Sequence, residues 1–369
     1  MFSEWETVKL KNSQVQDWDG LATALKCVSI KHLDMRNVRM PDKTEVRKTW
    51  RSDCIKAISK VNTLVKLDLC RCTSKLLKQI AAICPQLEYI AAETMKNSQI
   101  NMTNLGNCQN LIELNLRGLA GITVINVSLL TNLTKLKKLS LIEVKNTSEV
   151  LEVVGKMTQL ESLELGDMIN VTETHVIQGF SQLTKLKRLR LEKGQQDCPT
   201  NAIIHTISKL PCLNHLELIN FDIKEGFDAS LNKCSNISKL LLVPTYTSQV
   251  AATFSLVLEG VSSLNKTLKD FVLVVTLELL KFTNFVMIDE RNHLVLNNTA
   301  GNSLTQTPQK TSVDYIPILR PTKMGFVPEM LLLPQLYDML TILLPNTNIL
   351  IRKAPFNVTW QLTIYDSNQ

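Results

Sequence analysis

Aromatic residues are scarce in this chain, at 5% of 369 residues, so its interior has to be aliphatic. Glycine and proline number only 12 each, which excludes collagen-like and proline-rich classes. Long uncharged apolar runs are missing. The greasiest stretch, 271–288, is interrupted by Glu278, Lys281 and Asn284, so no membrane span and no membrane partner are expected. The opening Met1-Phe2-Ser3-Glu4-Trp5-Glu6 lacks the apolar region of a secretion signal. Nine cysteines, an odd number, then read as free thiols in a reducing compartment, cytoplasmic or nuclear. Nine Asn-x-Ser/Thr sequons, among them Asn132-Leu-Thr134 and Asn357-Val-Thr359, point the other way, towards an extracellular recognition protein.

Catalytic signatures are also lacking. There is no G-x-x-x-x-G-K-[ST] loop, G-x-G-x-x-G fingerprint, G-x-S-x-G elbow or H-E-x-x-H helix. The five histidines, His32, His175, His205, His215 and His293, fall in no metal or triad spacing. Cys70-x-Cys72 has no partner pair at ligand spacing. Glu161 and Glu164 sit on a strand surface with no apolar enclosure to raise a pKa. These absences argue against an enzyme and leave no cofactor or metal to assign. Net charge is +7, and all of it comes from residues 1–80, which hold 16 basic and 9 acidic side chains. The balanced remainder does not give the sustained basic face of a nucleic-acid binder.

What the chain has is a repeat. The pattern L-x-x-L-x-L begins as Ile30-x-x-Leu33-x-Met35 and continues at Leu64/Leu67/Leu69, Leu87/Ile90/Ala92, Leu111/Leu114/Leu116 and Leu136/Leu139/Leu141. It goes on at Leu160/Leu163/Leu165, Leu186/Leu189/Leu191, Leu213/Leu216/Leu218 and Ile237/Leu240/Leu242. From residue 64 the first positions step by 23, 24, 25, 24, 26, 27 and 24. The longer first step holds a polar loop, Pro41-Asp42-Lys43-Thr44-Glu45. A strand with a returning helix every ~25 residues predicts an α/β leucine-rich-repeat solenoid, a horseshoe with parallel concave strands and convex helices. Parallel strands are predicted at 64–69, 87–92, 111–116, 136–141, 160–165, 186–191, 213–218 and 237–242. Residues 148–157 carry helical apolar spacing. Three residues before each first Leu stands Val61, Cys84, Cys108, Leu133, Met157, Leu183, Leu210 or Cys234, so the cysteines read as small buried hydrophobes. Cys72, Met95, Leu119, Val144, Met168 and Phe221 share a slot three residues past the last strand Leu.

The forms Cys84-Pro-Gln-Leu87-Glu-Tyr-Ile90, Cys108-Gln-Asn-Leu111-Ile-Glu-Leu114-Asn-Leu116 and Leu64-Val-Lys-Leu67-Asp-Leu69-Cys-Arg-Cys72 resemble the cysteine-containing repeats of the F-box/leucine-rich-repeat family. That family supplies substrate receptors to cullin-based ubiquitin ligases. The resemblance covers 30–245 and, more loosely, 246–369. Phe2-Ser-Glu-Trp5-Glu-Thr-Val8-Lys-Leu10 is similar to the segment that follows the F-box helices and leads by a short strand into the repeats. The resemblance implies a cap at 1–29, repeats at 30–245 and degenerate repeats with a C-terminal cap at 246–369. It implies a protein substrate on the concave face, with a Skp-type adaptor and cullin as partners only in a longer form carrying the F-box. This chain by itself is then expected not to join the ligase stably. The alternative is a stand-alone scaffold or inhibitor.

Beyond residue 245, a helix is predicted at 250–264, a strand at 268–273, a polar loop at 297–312, a helix at 336–344, and strands at 348–351 and 360–364. The candidate partner surface takes positions three, five and eight of each repeat. It comprises Lys66, Asp68, Arg71, Tyr89, Glu113, Asn115, Lys138, Glu164, Asp167, Arg188, Arg190, Lys193, His215 and Glu217. On it an acidic stripe at 162–167 is expected beside a basic stripe at 188–193, an arrangement that favours specificity for a protein partner.

Overall fold

A computed structural model describes residues 6–10, 13–27, 29–36, 38–39, 44–94, 99–194, 196–245, 250–283, 286–288, 294–296, 314–323 and 325–364. The slot residue Met95, the polar loop at 297–312, Trp5 and most of the loop after Met40 lie outside these residues. The chain forms two compact units, Met1–Val171 with Gln178–Leu186, and Thr172–Ile177 with Lys187–Gln369.

In the first unit the elements run β1 (Thr7–Lys9), α1 (Trp18–Cys27), β2 (His32–Asp34), α2 (Thr44–Ser59), β3 (Lys66–Cys72), α3 (Ser74–Ile83), β4 (Tyr89–Thr94) and β5 (Gln99–Asn101). They continue with β6 (Glu113–Ile125), β7 (Lys138–Val144), α4 (Thr147–Val154) and β8 (Ser162–Gly166). Strands β1, β2, β3, β4, β6, β7 and β8 pair in that order, each parallel to the next, and β5 pairs with the far half of β6. The boundary between units runs through α5 (Glu173–Phe180).

The second unit holds β9 (Arg188–Glu192), α6 (Thr200–Ile207), β10 (His215–Phe221), α7 (Phe227–Leu231), β11 (Lys239–Pro244), α8 (Val250–Ser262), β12 (Asp270–Thr276) and α9 (Leu277–Thr283). There follow β13 (Val286–Ile288), β14 (Leu294–Leu296), β15 (Tyr315–Thr322), β16 (Gly325–Leu332), α10 (Leu333–Leu343) and β17 (Asn348–Ala354). Here β9, β10, β11, β12 and β17 form a parallel ladder, while β13–β14 and β15–β16 are antiparallel pairs.

Each unit is thus a stretch of leucine-rich-repeat solenoid, the predicted fold class, and all eight predicted repeat strands are present. They begin two residues later than the motif. The first Leu of each motif precedes the ladder, in a turn where its N–H donates to the slot residue three before it, as Leu111 does to Cys108 at 3.0 Å and Leu160 to Met157 at 3.0 Å. That turn closes the repeat, and every slot residue from Val61 to Cys234 is at most 3% exposed. Alternation then sends the second and third Leu of each motif into the interior. Leu67, Leu114, Leu163, Leu189, Leu216 and Leu240 are all fully buried. Each such side chain contributes roughly 1.5–3 kcal/mol, and the ladder repeats the gain at every strand.

At the strand ends the backbone turns left-handed. Arg71, Glu143, Asp167 and Asn220 have φ of 49°, 61°, 62° and 59°, each two residues past the last ladder Leu. The pairing register slips at this point between β3 and β4 and between β10 and β11. The bulge turns the next residue, Cys72, Val144, Met168 or Phe221, into the core, where each is at most 1% exposed.

The segment 360–364 is not the expected strand. A 3-10 turn, Phe356–Gln361, carries the chain off the end of β17, with Val358 N–H on Pro355 O at 3.1 Å and Leu362 N–H on Thr359 O at 3.1 Å. Local turn bonds replace ladder pairing because this segment lies over the strands instead of beside them.

Candidate functional site

In the first unit the strand face opposite the helices presents two rows. Ladder register aligns His32, Lys66, Tyr89, Glu113, Lys138 and Ser162 in one, and Asp34, Asp68, Ala91, Asn115, Ser140 and Glu164 in the other. Seven of the predicted site residues fall in these rows for the reason the motif gave: they alternate with the buried leucines.

The face is polar and cross-linked. The Lys138 ammonium lies 3.1 Å from Glu113, directly across the ladder. Asn115 Nδ2 donates to Glu113 at 3.2 Å, and Ser140 Oγ donates to Glu164 at 2.8 Å. At the other end, Asp68 is buried at 2% exposure, with one carboxylate oxygen 2.6 Å from His32 Nε2 and the other accepting from the Tyr89 hydroxyl at 3.1 Å. Its neighbour Asp34, 1% exposed, accepts from Arg36 Nη2 at 2.7 Å. The Arg36 hydrogen bonds, opposed by burial, hold the Asp34 carboxyl below its usual range. Burial, then the Asp68 charge, pushes the Tyr89 phenol well above its usual value, so it stays a donor. The His32 and Tyr89 rings meet edge to face at 6.2 Å.

Around these anchored groups Lys66 and Lys138 are exposed, and Tyr89, Glu113, Asn115 and Glu164 are half-buried. Arg71 and Asp167 belong to the bulge at the strand ends, not to the two rows. Arg71 is exposed and donates to Val38 O at 3.1 Å. Asp167 is half-buried, and burial together with the nearby Glu143 raises its carboxyl pKa.

In the second unit the corresponding rows run Arg188, His215, Lys239, Asp270, Asn348 and Arg190, Glu217, Leu241, Val272, Leu350. Glu217 is fully buried. It accepts from Arg190 Nη1 at 2.6 Å and Arg188 Nη2 at 3.1 Å, and His215 Nε2 lies 2.7 Å away. Burial pushes this carboxyl up, but the His215 hydrogen bond and the two guanidinium charges outweigh it and bring the pKa to about 2. Arg190 also donates to Glu192 at 3.1 Å, and Lys193 pairs with Asp222 at 2.6 Å.

Sequence reasoning placed Arg190, Lys193, His215 and Glu217 on an open face, whereas all four are buried. The C-terminal segment covers part of it. Arg190 Nη1 donates to the Leu362 carbonyl at 2.6 Å, and Ile219, Leu241, Val243, Val272 and Val274 pack with Val358, Leu362 and Ile364. The sequence carried a signal for this cover. Leu240-Leu241-Leu242-Val243 and Phe271-Val272-Leu273-Val274-Val275 are continuous apolar runs, the mark of strands buried on both faces.

Among the described residues no three His, Cys, Asp or Glu side chains are placed to hold a metal ion, and no helix is long and apolar enough to cross a membrane. The described thiols are free, and burial raises those of Cys84 and Cys108 to about 11 and that of Cys234 to about 12.

No protein-family description and no curated protein matches the chain. Solved structures similar to it include an internalin (inlF) from Listeria monocytogenes, 18% identical with a TM-score of 0.43, covering 66% of this chain and 67% of that one. An internalin C2 from the same organism is 19% identical with a TM-score of 0.32, covering 55% and 75%. A chain of the Rad7 and Elc1 complex in yeast is 14% identical with a TM-score of 0.41, covering 72% and 76%.

Proposed function

We propose that the chain is a non-catalytic protein-binding module whose partner docks on the strand face of the first unit, at Lys66, Asp68, Tyr89, Glu113, Asn115, Lys138 and Glu164, with Arg71 and Asp167 at its rim. The observation that carries this reading is the setting of Tyr89. A half-buried tyrosine, its hydroxyl fixed on a buried aspartate and its ring against His32, stands in an open polar row. A preordered aromatic surrounded by paired charges loses little entropy on binding and is a common centre of protein interfaces. The alternating charges of Lys66, Glu113, Lys138 and Glu164 select a partner of complementary pattern instead of a phosphate backbone.

The role of that partner is a substrate held for a cullin ubiquitin ligase. This finer reading rests on the resemblance of the cysteine-bearing repeats to the F-box/leucine-rich-repeat family. Tyr89→Ala and Lys138→Glu should each weaken capture of a cellular partner at least tenfold, while Lys156→Glu, just past α4, leaves it unchanged. Equal losses from all three would move the site elsewhere. Fusing an F-box segment upstream should confer binding to a Skp-type adaptor. A fusion that stays adaptor-free removes the ligase role and leaves a scaffold.

A further inference from the structure

We infer that the strand face of β10, β11 and β12 is a separate docking site for a short apolar peptide segment of a partner protein, and that residues 355–364 occupy it as an intramolecular stand-in. The site is independent of the Tyr89 face, and different observations carry it. The central outward row is charged at Arg190 and Glu217 and turns apolar at Leu241 and Val272. An apolar floor of five side chains beside a buried guanidinium is the anatomy of a recognition groove, with hydrophobic pockets for affinity and one polar group for register.

The covering segment fits that groove in the manner of a ligand. Of its described side chains only Thr359 and Ile364 are buried, whereas Pro355, Phe356, Asn357 and Gln361 remain exposed. A permanent layer of core would bury more of them. Two of its fastenings use the main chain, the Leu362 carbonyl accepting from Arg190 at 2.6 Å and the Phe356 N–H donating to Glu278 at 2.9 Å, while the Thr359 hydroxyl donates to Asn220 Oδ1 at 3.3 Å. A carbonyl acceptor carries no side-chain identity, so any peptide with apolar residues spaced like Leu362-x-Ile364 presents the same group. The buried Arg190–Glu217–Glu192 cluster supports this. A buried ion group seldom stabilises more than the apolar residues that could replace it, but it gives a charge-assisted donor aimed at an incoming carbonyl.

The test keeps the full chain. A protease recognition sequence is inserted between Ala354 and Pro355, the folded protein is cut, and a fluorescent peptide of residues 355–364 is titrated in. The nicked chain should release its segment and bind the peptide saturably, at least tenfold more tightly than the uncut chain. A peptide carrying Leu362→Asp and Ile364→Asp should bind at least tenfold more weakly. A nicked chain that unfolds, or that holds its segment against excess peptide, shows the segment to be core and overturns the proposal. Hydrogen exchange on the unmodified chain gives a second reading. Amides of 356–364 should exchange at least a hundredfold faster than those of β11 and β12, and equal rates would refute a displaceable cover.

Discussion

Replacing Glu217 by Gln keeps the side-chain shape and removes one charge from the centre of a buried cluster. Glu217 is fully buried, and its partners Arg190 and Arg188 sit 2.6 and 3.1 Å away. The cluster lowers its pKa from 4.5 to about 2. At ~1.36 kcal/mol for each pH unit of that displacement, the folded protein gains about 3 kcal/mol from the ionised form. Breaking a buried ion pair from one side gives a similar figure, about 3–5 kcal/mol, because the buried Arg190 and its neighbour Arg188 both lose the Glu217 charge, while Arg190 keeps Glu192 as a carboxylate partner. The direction with pH follows from the depressed value. The contribution is fully present above pH 4.5, the ordinary value of the unfolded chain, and is lost as pH falls through about 2. Urea unfolding of the wild type and Glu217→Gln, followed by far-UV circular dichroism at pH 7, 4.5 and 3, reads both effects. The variant should be about 3 kcal/mol less stable at pH 7, and the gap should shrink steadily from pH 4.5 to pH 3. A gap below ~1 kcal/mol at pH 7, or one that stays constant down to pH 3, would refute a charged, structurally engaged Glu217.

Three further outcomes follow from packing. Thiol labelling of native protein at pH 8 should modify the exposed Cys212 promptly and leave Cys84, Cys108 and Cys234 untouched until unfolding, since all three are buried with pKa values of about 11 to 12. Gly155→Ala should destabilise by roughly 1–3 kcal/mol or more in thermal unfolding, because an added Cβ would stand 1.9 Å from the Gln178 carbonyl oxygen. Leu163→Ala, at a fully buried ladder position, should cost about 2–5 kcal/mol, against less than ~0.5 kcal/mol for Ile177→Ala at a site 54% exposed.

The repeat was legible because its cause is local. A leucine every second residue, with an apolar slot three residues earlier, fixes strand, turn and core together, and it recurs often enough to exclude accident. The Tyr89 face followed from the same alternation. The C-terminal arrangement is decided by contacts between distant residues. β17 pairs with β12 across more than 70 residues of intervening chain, as at Asp270 and Asn348. The β15–β16 hairpin was hidden by Pro317, Pro321 and Pro328, which argue against a strand and are tolerated where a two-stranded sheet leaves its edges open. Residues 360–364 alternate like a strand, and only the doubly apolar β11 and β12 hinted that something would lie across them.

Site-specific photo-cross-linking in cells tests the central claim, partner binding on the strand face of the first unit, most directly. A photoreactive amino acid is placed at position 66, 89 or 113 on that face, and at position 78 on α3 or 156 after α4 as controls. Discrete protein adducts are expected from 66, 89 and 113, and background from 78 and 156. Adducts of equal yield from all five positions, or from the helix-side positions alone, would contradict it.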